Sequence, residues 1–460
     1  MSSGNNLIRD LKNRHIQLIA FGGAIGTGLF YGSAPSVMIA GPSVLIAYFI
    51  AGFIVLGLMR ALGEMAVEEP IAGSFSTYAY KYVGKFAGFF SGWNYWFATG
   101  VAMVAELSVA GIYVQFWWPE FPMWLTALIA IVVFASINIL SVKYFGEMEF
   151  WFALIKVVAI IAMIVFGLII IFTGIGNGGE PVGLSNLWAH GGFFPNGFGA
   201  MLLSVVLVII GFGGVEVVGI TAGEAQNPEK TIPKAINGVF FRILIFYVGA
   251  MFVIVTLTPW TEIGMGGSPF VQIFDSIGIA FAASLLNFVV LTATLSAFNS
   301  QIYTLSRMLF GLSEKGNAPK VFLKINKRGV PFAGVFFSTG IAALGLILLF
   351  FVPEKAFMYS MSMALFAGLA NWILIFVTQL RFRKRMQDRI GELKLKMPLF
   401  PAWSYLSIGA LVCIILGFFF IPDFRYALIL GPLWILSLYV AYRIKTKNEI
   451  RLTRDPGAAG

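Results

Sequence analysis

Apolar stretches of roughly 20 residues recur from His15 to Tyr442, twelve of them, and no other feature limits the possible folds so sharply. Each is long enough to cross about 30 Å of hydrocarbon as a helix rising about 1.5 Å per residue. The chain is 59% hydrophobic and 11% charged, and a soluble domain would carry about twice that charged share. The expected fold is an all-α polytopic membrane protein with twelve transmembrane helices and little chain left for a soluble domain.

The net charge of +10 would raise nucleic-acid binding in a soluble protein, but its placement gives it another meaning. Of the 31 Lys and Arg, 28 fall in the N-terminal tail, the even-numbered loops and the C-terminal tail, while Lys355 and Arg425 lie on the other side and Lys156 lies within a span. This asymmetry follows the positive-inside rule, so both termini are expected in the cytoplasm and no nucleic acid is implied. Cys413 is the single cysteine, and His15 and His190 lie far apart, so neither a disulfide framework nor a metal site is expected. The first segment has a signal-like basic flank at Arg9, Lys12 and Arg14 but no convincing cleavage pattern, and it is read as retained.

Two spans are interrupted by glycine. Span 1, about Ile16 to Val37, carries GGAIGTGLFYGS from Gly22 to Ser33, and span 6, about Gly197 to Ala222, carries GFGGVEVVG from Gly211 to Gly219. Each glycine weakens a helix by roughly 1 kcal/mol relative to alanine. A break at membrane depth leaves backbone groups unpaired, so it survives only where protein or a polar cavity meets it. The two half-helix ends at such a break offer carbonyls to a cation and N–H groups to an anion, which together suit a zwitterion such as an amino acid. The plainer alternative is that small residues let two helices pack closely.

Spans 1 and 6 each open a group of five, and because five is odd the second group starts from the opposite face. The expected organisation is a cytoplasmic tail at 1–15, a first repeat at 16–173, an external loop at 174–196 and an inverted second repeat at 197–380. Helices 11 and 12 follow at 381–442, with a cytoplasmic tail at 443–460. Interrupted segments at matching positions of two inverted halves point to a transporter's substrate site. Span 2 is placed at about Pro42 to Leu62, span 5 at about Trp151 to Phe172 and span 10 at about Phe357 to Leu380. SFSTYAYKYVGKF, ahead of span 3, suits a helix at the cytoplasmic interface.

Three charged side chains fall deep within spans: Glu106 in span 3, Lys156 in span 5 and Glu216 in span 6. Burying each costs on the order of 3 kcal/mol even on mild scales, so each is a functional candidate. Lys156 is read as having no nearby carboxylate in its own helix; it either gains and loses a proton during a cycle or serves as a fixed brace between carbonyls of a broken helix. Glu216 follows the span 6 break and is a coupling group, a cavity-lining anion or an acceptor for local backbone donors. Glu106 lines the cavity or pairs with a neighbouring span. Phe212, inside the second break, gates or lines an apolar pocket or merely packs. Asn299 and Ser300 in span 8 either face span 1 or make ordinary interhelical hydrogen bonds. Neither glycine-rich stretch has dinucleotide or P-loop spacing, so nucleotide drive is not expected.

The stretches LKNRHIQLIAFGGAIGTGLFYGSA, EEPIAGSFSTYAYKYVGKFAGFFSGWNYW, VEVVGITAGEAQNPEKTIPKAI and SRMLFGLSEKGNAPK resemble the bacterial amino acid transporter family of the amino acid–polyamine–organocation superfamily, over nearly the whole chain. Within that family the chain is similar to the general aromatic amino acid and phenylalanine permeases. The resemblance implies a LeuT-like five-plus-five inverted repeat with broken helices 1 and 6, in the bacterial cytoplasmic membrane. It implies proton-coupled uptake of a neutral amino acid, aromatic or large apolar by preference, with the proton as coupling ion and no cofactor. Carried over to this sequence, it places the substrate carboxylate on the N–H groups of Gly26, Thr27 and Gly28. The ammonium would lie on carbonyls around Ala24, Ile25, Phe212 and Gly213, with Gly214, Met103, Glu106, Asn299 and Ser300 nearby, and Lys156 and Glu216 in proton coupling. On that reading a valine at Gly28 would block the carboxylate site. Spans 3, 8 and 10 read FATGVAMVAEL, LSAFNSQIY and MSMALFAGLANW where the aromatic permeases tend to be bulkier, which keeps alanine, serine and threonine as alternatives.

Three further readings follow from the same residues. The chain could be an amino acid exchanger without net proton flux, or a membrane sensor of amino acids. An enzyme is least expected, since no nucleophile, base or metal set is visible. The expected partners are the amino acid and membrane lipids, with no obligate protein partner.

Overall fold

A computed structural model describes residues 26–70, 74–140, 142–175, 178–216, 233–234, 236–238, 241, 243–264, 267–276 and 280–454. Among these residues the regular structure is entirely helical. The helices are α1 (Thr27–Phe30), α2 (Ser33–Ala40), α3 (Val44–Glu68), α4 (Ser74–Tyr82), α5 (Lys85–Gln115), α6 (Met123–Leu140) and α7 (Val142–Thr173). After the long loop come α8 (Gly197–Val208), α9 (Ala250–Leu257), α10 (Pro269–Ser276), α11 (Ala280–Glu314), α12 (Phe332–Phe351), α13 (Pro353–Arg385), α14 (Ala402–Gly417) and α15 (Arg425–Arg454). Nine helical runs among the described residues are long and apolar enough to cross a membrane, and two shorter apolar ones cover Gly197–Phe212 and Leu244–Leu257.

The outward faces carry large apolar side chains: Phe281, Phe351 and Phe420 are 81%, 74% and 67% exposed. Soluble monomers do not leave such surfaces to water, whereas hydrocarbon solvates them. The chain is a multi-pass membrane protein. Helices α5 and α13 form its centre and are largely buried, whereas α15 lies mostly exposed at the periphery.

Several helices outrun the apolar stretches that announce them. Helix α3 continues six residues past Leu62 to Glu68, α7 begins at Val142 and not near Trp151, and α13 reaches Arg385 beyond Leu380. Hydropathy marks the hydrocarbon, but i to i−4 hydrogen bonding has no reason to stop at its edge. Breaks come from backbone chemistry instead. Gly41, at φ +60°, ends α2 where a Cβ would lie 2.4 Å from the Pro195 ring. The interfacial segment forms α4, and Gly84, at φ +146°, separates it from α5.

Candidate functional site

The described part of span 1 starts at its break. Gly26 is extended (φ −133°, ψ −165°), and α1 begins at the next residue with no side-chain cap. The N–H groups of Leu29 and Phe30 both turn to the Gly26 carbonyl, at 3.1 and 3.2 Å, so those of Gly26, Thr27 and Gly28 precede the first helical bond. On span 6, α8 tightens into a 3₁₀ turn at Ile209–Phe212, which ends at Gly213 (ψ 139°) and Gly214 (φ +90°).

These two breaks meet. A Cβ on Gly28 would stand 2.6 Å from the Ile210 carbonyl oxygen and 2.8 Å from the Gly211 Cα, so only a glycine admits this backbone-to-backbone approach. A valine at Gly28 would therefore displace the span 6 backbone, a packing reason for such a variant to fail. Gly26 is open by comparison, with the Ala297 methyl of α11 at 4.0 Å. Gly213 is exposed and Gly214 partly so, between buried Phe212 and Val215. Ala24 and Ile25 lie outside the described residues.

Thr27 fastens α1 to the helices behind it. Its hydroxyl donates to the Glu106 carboxylate of α5 and lies 3.0 Å from the Thr294 hydroxyl of α11, which bonds the Val290 carbonyl at 3.0 Å. Glu106 thus holds the broken helix in place, with buried Met103 one turn before it. Thr294 takes the position facing span 1 that the sequence suggested for Asn299. Asn299 turns the other way and accepts from Asn138 of α6 at 2.8 Å, while its amide nitrogen and the Ser300 hydroxyl have no hydrogen-bond partner. The separation has a simple cause: five residues along a helix rotate the side chain by roughly 140°.

Lys156 is fully buried in α7 and donates to the Ser296 hydroxyl of α11 at 2.9 Å; Ser296 in turn donates to Glu149 at 2.7 Å. Glu149 lies seven residues earlier in the same helix and is 1% exposed, which corrects the expectation that Lys156 has no carboxylate in its own helix. That expectation failed because span 5 was drawn from Trp151. Glu149 and Glu106 both act electrostatically on Lys156. Two polar groups therefore sit in the apolar centre, Thr294–Thr27–Glu106 and Lys156–Ser296–Glu149, with Glu106 acting electrostatically on Lys156.

Phe212 is buried and stacks on Tyr247 (ring centroids 4.3 Å apart, planes 18°), whose hydroxyl donates to the Gly211 carbonyl at 2.8 Å. Tyr247 lies in a π-helical turn, Ile243–Gly249, a feature frequent at functional sites. Glu216 stands beyond the break near Trp372 of α13 and Tyr95 of α5, and one of its carboxylate oxygens has no partner. The half-helix expected to follow it lies outside the described residues.

The amino acid permease family model matches residues 15–454. The chain belongs to the amino acid permease family. Among the relatives of this permease is an uncharacterized amino acid permease, YtnA, of Bacillus subtilis, 48% identical over 437 residues, which cover 95% of this chain and 94% of the relative. The aromatic amino acid transport protein AroP of Escherichia coli K12 is 48% identical over 445 residues, 97% of both chains, and AroP of Salmonella typhimurium is 47% identical over the same length. The permease belongs with transporters, not enzymes, and its substrate class is an amino acid.

Proposed function

We propose that the permease is a proton-coupled symporter that imports neutral L-amino acids, aromatic or large apolar by preference, by alternating access. The observation that carries this reading is the contact of the two broken spans at Gly28 and Ile210–Gly211, beside the buried Lys156–Ser296–Glu149 chain. The N–H groups of Gly26, Thr27 and Gly28 would receive the substrate carboxylate, and carbonyls around Ala24, Ile25, Phe212 and Gly213 its ammonium. The aromatic preference is supported by the AroP relatives, which are aromatic amino acid transport proteins.

In this reading the twelve spans form a five-plus-five inverted repeat, 16–173 and 197–380, with helices 11 and 12 at 381–442. Both termini are cytoplasmic, and the protein lies in the bacterial cytoplasmic membrane, supported by the distribution of Lys and Arg. The proton is the coupling ion and no cofactor takes part. Rocking of one helix bundle against the other then exposes the site to each side in turn.

The substrate class is tested by uptake of radiolabelled phenylalanine into proteoliposomes, competed by unlabelled amino acids. Competition by tryptophan and tyrosine is the expected result. Competition chiefly by alanine, serine or threonine would overturn the aromatic assignment and leave the transport mechanism standing.

A further inference from the structure

A symporter that brings a proton in must also release it to the cytoplasm, and a buried lysine alone offers no path for that step. The hydrogen bonds that lead from Lys156 through Ser296 to Glu149 are polarised in one direction. The ammonium donates to Ser296 Oγ at 2.9 Å, and the Ser296 hydroxyl donates to Glu149 Oε1 at 2.7 Å. Glu149 lies nearer the N-terminal end of α7 by about 10 Å along the helix axis. The N-terminal turn of α7 carries Lys143, one of the basic residues expected on the cytoplasmic side. The second oxygen of Glu149, Oε2, is buried without a hydrogen-bond partner, so this carboxylate is not saturated by donors as a purely structural one would be.

We propose that Glu149 is the proton acceptor through which Lys156 discharges towards the cytoplasm, with the Ser296 hydroxyl as the relay. The inference rests on the symport reading. In the step, an N–H bond of the Lys156 ammonium breaks as an O–H bond forms on Ser296. The original Ser296 proton passes to Glu149 Oε1. Lys156 ends as a neutral amine, Ser296 as a hydroxyl and Glu149 as a neutral carboxylic acid, so charge and protons balance without any further reactant. Transfer annihilates a buried ion pair instead of creating separated charges, which keeps both end states compatible with an apolar interior.

The groups around Lys156 favour this direction of discharge. Glu106 of α5 acts on it from one side, but Thr27 already donates to that carboxylate. Helix α9, packed against α7, is apolar apart from Thr256, and α6 contributes Asn138, which is engaged with Asn299. Within this shell Glu149 is the carboxylate reached from Lys156 by an unbroken pair of hydrogen bonds.

The test compares Glu149→Gln and Ser296→Ala with the parent protein in proteoliposomes. Two rates are measured: accumulation of phenylalanine driven by an inward proton gradient, and counterflow exchange at equal pH, which needs no net proton release. Glutamine keeps the shape and the acceptor oxygen of Glu149 but cannot carry the proton. The ratio of accumulation to counterflow is expected to fall by about tenfold or more in both variants, as for loss of a proton-transfer group, and Ser296→Thr, which restores a hydroxyl, is expected to recover it. The dependence of accumulation on internal pH should flatten in Glu149→Gln. An unchanged ratio with an unchanged internal-pH profile would overturn the relay while leaving symport intact. Loss of counterflow in both variants together would make the pair a structural brace, which also overturns it. If the parent protein itself shows no response to the gradient, the symport reading fails and the relay with it.

Discussion

Lys156→Ala is expected to abolish gradient-driven accumulation while retaining some substrate binding. The substitution removes a buried cation on which the carboxylates of Glu149 and Glu106 both act, and takes from Ser296 the donor it accepts from. A buried charge that loses its partner typically costs about 3–5 kcal/mol, so the variant should also be less stable in detergent. In the proposed reading the substrate cradle is built from backbone groups of the broken spans, so ligand binding should survive in protein that remains folded. The decisive readout is the pH profile of uptake, which should become flat. If Lys156→Ala accumulated substrate with the parent's pH profile, the lysine would be a brace and nothing more.

Glu64→Ala is expected to produce the largest loss of stability among substitutions outside the site. Glu64 is fully buried near the end of α3 and accepts from Arg383 of α13 through both Nε and Nη2. It also accepts from the Gln379 amide at 3.3 Å and the Met397 N–H at 3.0 Å. Ser404 of α14 completes the cluster by donating to Gln379 at 3.0 Å. Alanine at position 64 would leave a guanidinium that is 7% exposed without its counterion, a loss on the order of 3–5 kcal/mol. The half-life at elevated temperature in detergent should drop steeply, because unfolding of such proteins is read as a rate. The double substitution Glu64→Leu with Arg383→Met should recover most of it, since an apolar pair removes both desolvation penalties together. Parent-like heat resistance in Glu64→Ala would show that this ion pair does not join α3 to α13.

The parts of the fold that were legible in the sequence are those set by local chemistry. Apolar length marks the spans, and clustered glycines mark the breaks at Gly22 to Ser33 and Gly211 to Gly219. Lys156 and Glu106 stood out because charge is rare within hydrocarbon. What remained hidden depends on which face of one helix meets which face of another. Thr294, Ser296 and Asn299 lie within six residues of α11, yet they address Thr27, Lys156 and Asn138 on three different helices. No periodicity in one chain segment reports such pairings. Glu149 is an intermediate case. Its spacing from Lys156, two helical turns, was available, but an apolar window excludes the polar flank into which α7 extends. Glu64 and Arg383 were missed for the same reason, each lying just past the end of an apolar stretch and buried by the other.

In the proposed mechanism proton entry drives amino acid entry, and uptake of radiolabelled phenylalanine into proteoliposomes with an inward proton gradient imposed measures this most directly. Accumulation above the external concentration is expected, and it should collapse when a protonophore dissipates the gradient. Equilibration that ignores the gradient and accelerates only with amino acid loaded inside the vesicles would contradict it and identify an exchanger.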